Sequence, residues 1–182
     1  MSVKSAMARG LSSGLEPGLV LLNTTSFSAV SSVNLPANIF TTTYKRYKII
    51  VKALMASGGE TDVNFRLRAG STTDTSSNYF WEFIEGSGAT VSGQRSSSTF
   101  WYTAGGMAGT LESSHFFELT NPATAVITTG FVSAVTSQAS TTGIKNFHAG
   151  FMHNVAAAYD SGAFLVTTGT MTGSVSVYAY NE

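Results

Sequence analysis

The sequence predicts a single all-β domain, built as an antiparallel sandwich or a barrel. Three observations lead to this fold class: about ten short apolar stretches repeat with a period of two, turn residues separate them, and no segment sustains the period of a helix. The chain has 182 residues, which is enough for one domain with a substantial buried core.

Residues 1–18 are predicted to form an N-terminal arm that precedes the domain. Apolar residues recur there near helical spacing, but Gly10, Gly14 and the Pro17-Gly18 pair interrupt it. The sandwich domain is therefore expected to comprise residues 19–182.

The predicted strands follow the arm in close succession. The clearest is 46–55, where Tyr47, Ile49 and Val51 alternate with basic residues, so one side of the strand should be buried. Residues 70–78 and 86–98 are rich in Ser, Thr and Gly and are expected to be loops. The remaining predicted strands are 19–23, 26–35, 63–69, 79–85, 99–103, 115–120, 126–128, 131–135, 144–153, 164–168 and 174–180.

The composition limits the classes of partner. Charged residues make up only 11% of the chain, against about 25% in an average protein, and the formal net charge is +0. The sequence therefore predicts neither a nucleic-acid partner nor an anionic membrane partner. A surface so poor in charge favours burial in an assembly. The alternative is a surface that Ser and Thr keep soluble.

The chain is expected to fold in the cytoplasm where it is made. Lys4 and Arg9 are not followed by an apolar stretch of the kind that a signal peptide needs. No stretch approaches the roughly 20 apolar residues of a membrane-spanning helix. There are no cysteines, which excludes disulfides and thiolate chemistry.

No pattern of residues predicts catalysis, a metal or a cofactor. His148 and His153 are five residues apart on a predicted strand and should face opposite sides, as should Glu82 and Glu85. The only serine with the spacing of a nucleophile elbow, Ser12 in the run GLSSG, lies in the predicted arm and not between a predicted strand and a helix. We therefore expect a protein that is not an enzyme and that carries no catalytic, metal or cofactor site.

Two groups of side chains could instead serve binding. Strand 79–85 carries aromatic residues on both faces, so it is buried on both sides or turns one side to a ligand or subunit. Core or inter-subunit packing is the favoured interpretation of its aromatics, and stacking on a glycan is the alternative for Trp81, Trp101 and Tyr102.

The second group is basic. If strands 46–55 and 63–69 pair, their basic side chains form one stripe that could bind an acidic partner. The favoured alternative is a solvated face on which these side chains pair with Glu82, Glu85 or Glu118. The stripe would comprise Lys45, Arg46, Lys48, Lys52, Arg66 and Arg68.

The order of these segments resembles a group of bacteriophage virion proteins and tail-fibre tips. The matching stretches are Tyr44-Lys45, Arg66-Leu67-Arg68, Ser77-Asn78-Tyr79 and the run from Phe164 to Tyr180. The chain departs from the pattern at Ala69-Gly70 and at Ala179-Tyr180, and the arm lies outside it. The resemblance implies a jelly-roll-like sandwich located in the virion, in contact with other virion proteins, and usually oligomeric, with a trimer favoured.

Within that resemblance, we expect a capsid decoration or cement protein, because a fibre usually needs a longer shaft. The arm would bind the particle through Val3, Lys4, Met7, Arg9, Leu11 and Leu15. The alternative is a tail-fibre or receptor-binding protein that contacts a host surface glycan.

Overall fold

The computed structural model describes residues 18–57, 60–108, 112–137 and 143–181. Within these ranges the chain forms thirteen strands and no helix, which confirms the all-β prediction. The strands are β1 (Gly18–Val30), β2 (Ser32–Asn34), β3 (Arg46–Ser57), β4 (Thr61–Ala69), β5 (Thr72–Thr73), β6 (Tyr79–Ser87), β7 (Thr90–Ser98), β8 (Trp101–Met107), β9 (Ser113–Thr120), β10 (Val126–Ser137), β11 (Ile144–Ala157), β12 (Ser161–Val166) and β13 (Thr170–Asn181).

The strands form two antiparallel sheets. The eight-stranded sheet has the order β1-β13-β3-β9-β10-β11-β6-β7. The five-stranded sheet has the order β2-β12-β4-β5, and β8 also pairs with β4. The first and last described strands therefore pair with each other at one edge of the larger sheet.

The two sheets bury one face each against the other, which is the arrangement of a β-sandwich. Strand β3 contributes Tyr47, Ile49 and Val51 to the core, and β4 contributes Phe65 and Leu67 from the opposite sheet. The burial of β9 alternates strictly over residues 113–120, as expected for a strand with one buried side. The core is one continuous cluster, to which both sheets contribute.

Three predictions about the connections were wrong. Residues 126–137 form the single strand β10 and not two strands, 126–128 and 131–135. Residues 90–98 form strand β7 rather than a loop, and residues 18–30 form one strand whose pairing shifts register between Leu21 and Asn23. Strand β7 has no apolar alternation, because it is an edge strand with most of its side chains exposed.

The basic stripe is also corrected by the topology. Strands β3 and β4 are consecutive in the chain, but they belong to different sheets. Arg66 and Arg68 therefore lie on the five-stranded sheet, away from Lys48 and Lys52.

Candidate functional site

The candidate site is the outer face of the eight-stranded sheet, the face that points away from the other sheet. The strand registers align one row of side chains across the whole sheet. From β1 to β7 this row is Leu21, Tyr178, Lys48, Glu118, Phe131, Gly150, Glu82 and Arg95. The outer face can therefore be read residue by residue.

Large apolar side chains are concentrated on this face over β9, β10 and β6. We call these residues the apolar patch. Their exposed fractions run from 38% to 60%. The apolar patch consists of Phe80, Ile84, Phe116, Phe131 and Val135.

Gly150 has no side chain and leaves a hollow beside the apolar patch. Gly150 lies beside Phe131 in the cross-strand row, and a methyl group added at Gly150 would meet no atom within 4 Å. Two adjoining depressions of about 310 and 350 Å³ share Glu82 and Gly150 in their linings. A protruding ring thus lies next to a hollow.

The charged groups on this face are largely matched by neighbours of opposite sign or by aromatic groups. Lys48 lies opposite Glu118, and Glu82 lies opposite Arg95. The hydroxyl of Tyr180 donates a hydrogen bond of 2.5 Å to Oε1 of Glu118. This arrangement agrees with the favoured interpretation of the basic residues, a face balanced by nearby carboxylates.

The residues of the arm that were expected to bind a partner lie outside the described residues. These are Val3, Lys4, Met7, Arg9, Leu11 and Leu15. The first described residue, Gly18, begins edge strand β1. Leu19 and Leu21 of this strand are exposed on the same outer face as the apolar patch.

The aromatic residues considered for glycan stacking point into the sandwich. None of the Trp101 side chain is exposed, and its Nε1 donates a hydrogen bond of 3.2 Å to the carbonyl oxygen of Met152. Trp81 is buried and stacks on Phe83 at 5.6 Å. Burial leaves Trp101 and Trp81 little or no surface to offer a sugar ring, and core packing accounts for both.

Tyr102 is the least buried of the three aromatic residues. Its hydroxyl donates a hydrogen bond of 3.1 Å to Oδ1 of Asp62. Burial raises the pKa of both groups, of Tyr102 and of Asp62. At neutral pH this arrangement fits a neutral phenol bound to a carboxylate.

A buried polar cluster connects β11 to two loops. Oδ2 of Asp74 accepts a hydrogen bond of 2.8 Å from the Tyr159 hydroxyl and lies 3.1 Å from Nε2 of His153. Burial opposes the ionisation of Asp74, but hydrogen bonds from Ser76 and Tyr159 outweigh it, so the pKa of Asp74 is lowered. Burial lowers the pKa of His153, and the Asp74 charge opposes that shift.

This cluster holds the 74–78 loop against the sandwich. The Tyr79 hydroxyl donates to the Asp74 carbonyl oxygen at 3.1 Å and accepts from the Leu67 backbone N–H at 3.0 Å. Over the described ranges, no three His, Asp or Glu side chains converge as metal ligands.

The three histidines have separate environments. His153 is buried and His148 is exposed, as the spacing predicted. His115 lies on the buried face of β9, and neither ring nitrogen has a hydrogen-bond partner. Burial lowers the pKa of His115 to about 4.

No family model, curated protein or solved structure matches the chain. None of the described segments forms a helix that is long and apolar enough to cross a membrane. The geometry of the site is therefore the basis for the function proposed next.

Proposed function

We propose that the chain is a structural subunit of a bacteriophage virion, a decoration or cement protein with a jelly-roll-like sandwich. It acts through its contacts rather than through catalysis. Residues 1–18 attach it to the particle, and the outer face of the eight-stranded sheet binds a second copy of the same chain. The observation that carries the proposal is the apolar patch on that face.

An exposed patch of this kind favours protein contact. A soluble monomer rarely exposes more than a few hundred Å² of contiguous apolar surface. Phe116 is 43% exposed and Phe131 51%, and they lie on the neighbouring strands β9 and β10; Ile84, 60% exposed, lies on β6, which β11 separates from β10. Aromatic and aliphatic side chains of this type are also those that anchor protein interfaces.

The size of the face favours a second folded copy as the occupant. Eight strands spaced by about 4.8 Å and four rows of outward residues spaced by about 6.8 Å give a face of roughly 700 Å². A stable interface buries about 800 Å² on each partner. The face therefore provides about the area that one partner contributes.

The charges on the face also suit a second copy. The Lys48 and Glu118 pair and the Glu82 and Arg95 pair flank Phe131 and Gly150 in the central row. These pairs leave the surroundings of Phe131 and Gly150 without a charge of one sign that would repel the same residues of a second copy.

The arm can reach a neighbouring subunit from where β1 begins. Seventeen residues precede Gly18 at the sheet edge, and an extended chain covers at most about 3.3 Å per residue, or about 56 Å in all. The eight-stranded sheet is only about 34 Å wide. The segment is long enough to cross the edge and contact another protein.

The homo-oligomer is tested by measuring the mass of the purified chain in solution by light scattering. We expect an oligomer. Two identical outer faces packed on each other give a dimer, and the trimer that the phage resemblance favours requires this face to pack against a different surface of the next copy. Phe131→Asp should shift the population to monomer, because a carboxylate buried at the interface is costly. Thr42→Asp, at an exposed position in the turn before β3 and outside the sheet face, is the matched control and should stay oligomeric. A wild-type chain that is monomeric in solution would overturn the proposed homo-oligomer.

The virion location is tested with purified phage particles and an antibody against the chain. We expect the chain in particles at a fixed ratio to the shell protein. Deletion of residues 1–18 should remove it from particles while the truncated chain stays folded. Full occupancy by the truncated chain would contradict attachment through the arm, and absence of the wild-type chain from particles would overturn the virion assignment.

A further inference from the structure

A pocket on the outer face of the five-stranded sheet is lined mainly by polar side chains and an arginine, in contrast to the apolar patch. Asn34 of β2, Ala163 of β12 and Arg66 of β4 lie in one cross-strand row. Ala163 is small and buried, so it forms a floor between the two longer side chains. The pocket has a volume of about 300 Å³, at the lower end of the range for small-ligand sites.

Arg66 is held in place by neutral groups. Its Nε donates a hydrogen bond of 2.9 Å to the Thr99 carbonyl oxygen, and its Nη2 donates one of 3.1 Å to Thr99 Oγ1. Among the ion pairs formed by described residues, none involves Arg66. The guanidinium is therefore positioned by the fold and keeps its charge available for an anion.

A second arginine adds to the positive charge of this face. Arg68 lies two residues further along β4, and its Nη2 donates a hydrogen bond of 2.9 Å to the Ser71 carbonyl oxygen. Its Nε is buried and has no hydrogen-bond partner. Two like charges on one strand face repel each other, and a bound carboxylate would relieve that repulsion.

Leu165 and Val166 are the other apolar residues of the lining, and the remaining residues offer uncharged hydrogen-bonding groups. The hydroxyls of Ser31, Ser32 and Thr73 and the amide of Asn34 line the same pocket as Arg66. Hydroxyls and amides both donate and accept, which matches the alternating donors and acceptors of a sugar ring. A guanidinium adds selectivity for a carboxylate, which it can bind through two parallel hydrogen bonds.

We infer that this pocket binds a saccharide that carries a carboxylate, such as a uronic acid unit, with Arg66 on the carboxylate. Asn34, Ser32 and Thr73 contact the hydroxyls of the sugar. The inference stands on different residues from the proposed virion role and does not depend on it.

The inference is tested by nuclear magnetic resonance titration of the full chain with D-glucuronate and with D-glucose. We expect saturable shifts with glucuronate that report on the backbone amides around Arg66, and none with glucose at equal concentration. Arg66→Gln should weaken glucuronate binding at least tenfold, as loss of a hydrogen bond between charged groups typically does. Arg95→Gln, on the other sheet, is the matched control and should bind as the wild type does.

A second variant covers the case in which Arg66→Gln unfolds. Ser32 is exposed at the rim, so Ser32→Phe should block the pocket and leave the Arg66 hydrogen bonds intact. Its binding should fall by a similar factor. Equal binding by Ser32→Phe, equal shifts with glucose, or tighter binding of a glutamate-containing peptide than of glucuronate would each overturn the saccharide assignment.

Discussion

Both faces of the eight-stranded sheet carry large apolar side chains, but only the inner face packs against another sheet of the described chain. Phe116 and Phe117 are adjacent on β9 and illustrate the contrast. Phe117 is fully buried among aromatic rings, with Phe65 at 5.0 Å and Phe151 at 5.2 Å between ring centroids. Phe116 points to the opposite side and is 43% exposed. Hydrophobicity alone therefore does not separate residues that are buried in the core from residues that stay exposed on the outer face.

Substitutions on the two faces should therefore affect different measured quantities. A residue on the inner face contributes to the free energy of unfolding of one subunit, because its contacts form when the chain folds. In the proposed oligomer, a residue on the outer face contributes mainly to association. Pairs of similar residues, one on each face, can test this division directly.

The largest effect is expected for the phenylalanine pair. Phe117→Ala should lower the free energy of unfolding by about 3–5 kcal/mol, because it leaves a cavity among four aromatic rings. Phe116→Ala should change it by no more than about 0.5 kcal/mol in the monomer. Urea unfolding followed by tryptophan fluorescence measures both. Equal losses in the two variants would contradict the division of the faces.

Phe116→Ala should have its effect on association instead. In light scattering its oligomer should dissociate at higher protein concentration than the wild type. An unchanged oligomer would remove Phe116 from the proposed interface.

The second-largest effect is the loss of folding stability that the buried His115 should cause at acidic pH. The pKa of His115 is about 4 in the folded chain, against about 6.5 when unfolded, so the unfolded state binds more protons between these values. The contribution of His115 to stability is complete above pH 6.5 and is lost as the pH falls through 4. The loss is on the order of 3 kcal/mol. His115→Leu should flatten this part of the pH dependence.

His148 provides the control for the acid experiment. It is exposed on the outer face, so His148→Gln should follow the pH profile of the wild type. His153 is buried and its pKa is also lowered, so some pH dependence should remain in His115→Leu. A His115→Leu profile that superimposes on that of the wild type would disprove the role of His115.

A smaller effect is expected for a pair of glycines. A methyl group at Gly173 would lie 2.0 Å from the Lys52 carbonyl oxygen, which is a backbone atom of β3. Gly173→Ala should therefore cost about 1–3 kcal/mol through backbone displacement. Gly150→Ala meets no atom within 4 Å and should leave the melting temperature unchanged. If Gly150→Ala destabilised the chain as much as Gly173→Ala, the hollow beside Phe131 would not exist as described.

The sequence predicted the inner face well, because burial there follows from local alternation. The residues of β3 alternate between apolar and basic, so their orientation could be inferred without the partner strands. The aromatic residues on both sides of β6 also indicated that a second apolar face exists, but not which side is covered. On β10, Phe131 and Val132 give no preference between the faces, and only packing against the second sheet decides it.

The remaining features depend on pairing between distant segments. Strand β7 was missed because its sequence has no apolar alternation and its position comes from pairing with β6. The pocket at Arg66 was missed because Asn34, Arg66 and Ala163 come from three strands that only the order β2-β12-β4 brings together. No sequence spacing encodes that order.

The smallest effect is expected for a pair of tyrosines. The Tyr47 hydroxyl on the inner face accepts a hydrogen bond of 2.7 Å from the Thr41 backbone N–H and donates one of 2.8 Å to the Thr41 carbonyl oxygen. Tyr47→Phe removes both bonds and should lower the free energy of unfolding by about 1–2 kcal/mol. Tyr178→Phe on the outer face should stay within about 0.5 kcal/mol of the wild type. The rate of amide hydrogen exchange at Thr41 should rise in Tyr47→Phe and not in Tyr178→Phe. An unchanged exchange rate in Tyr47→Phe would show that Tyr47 does not hold the segment before β3.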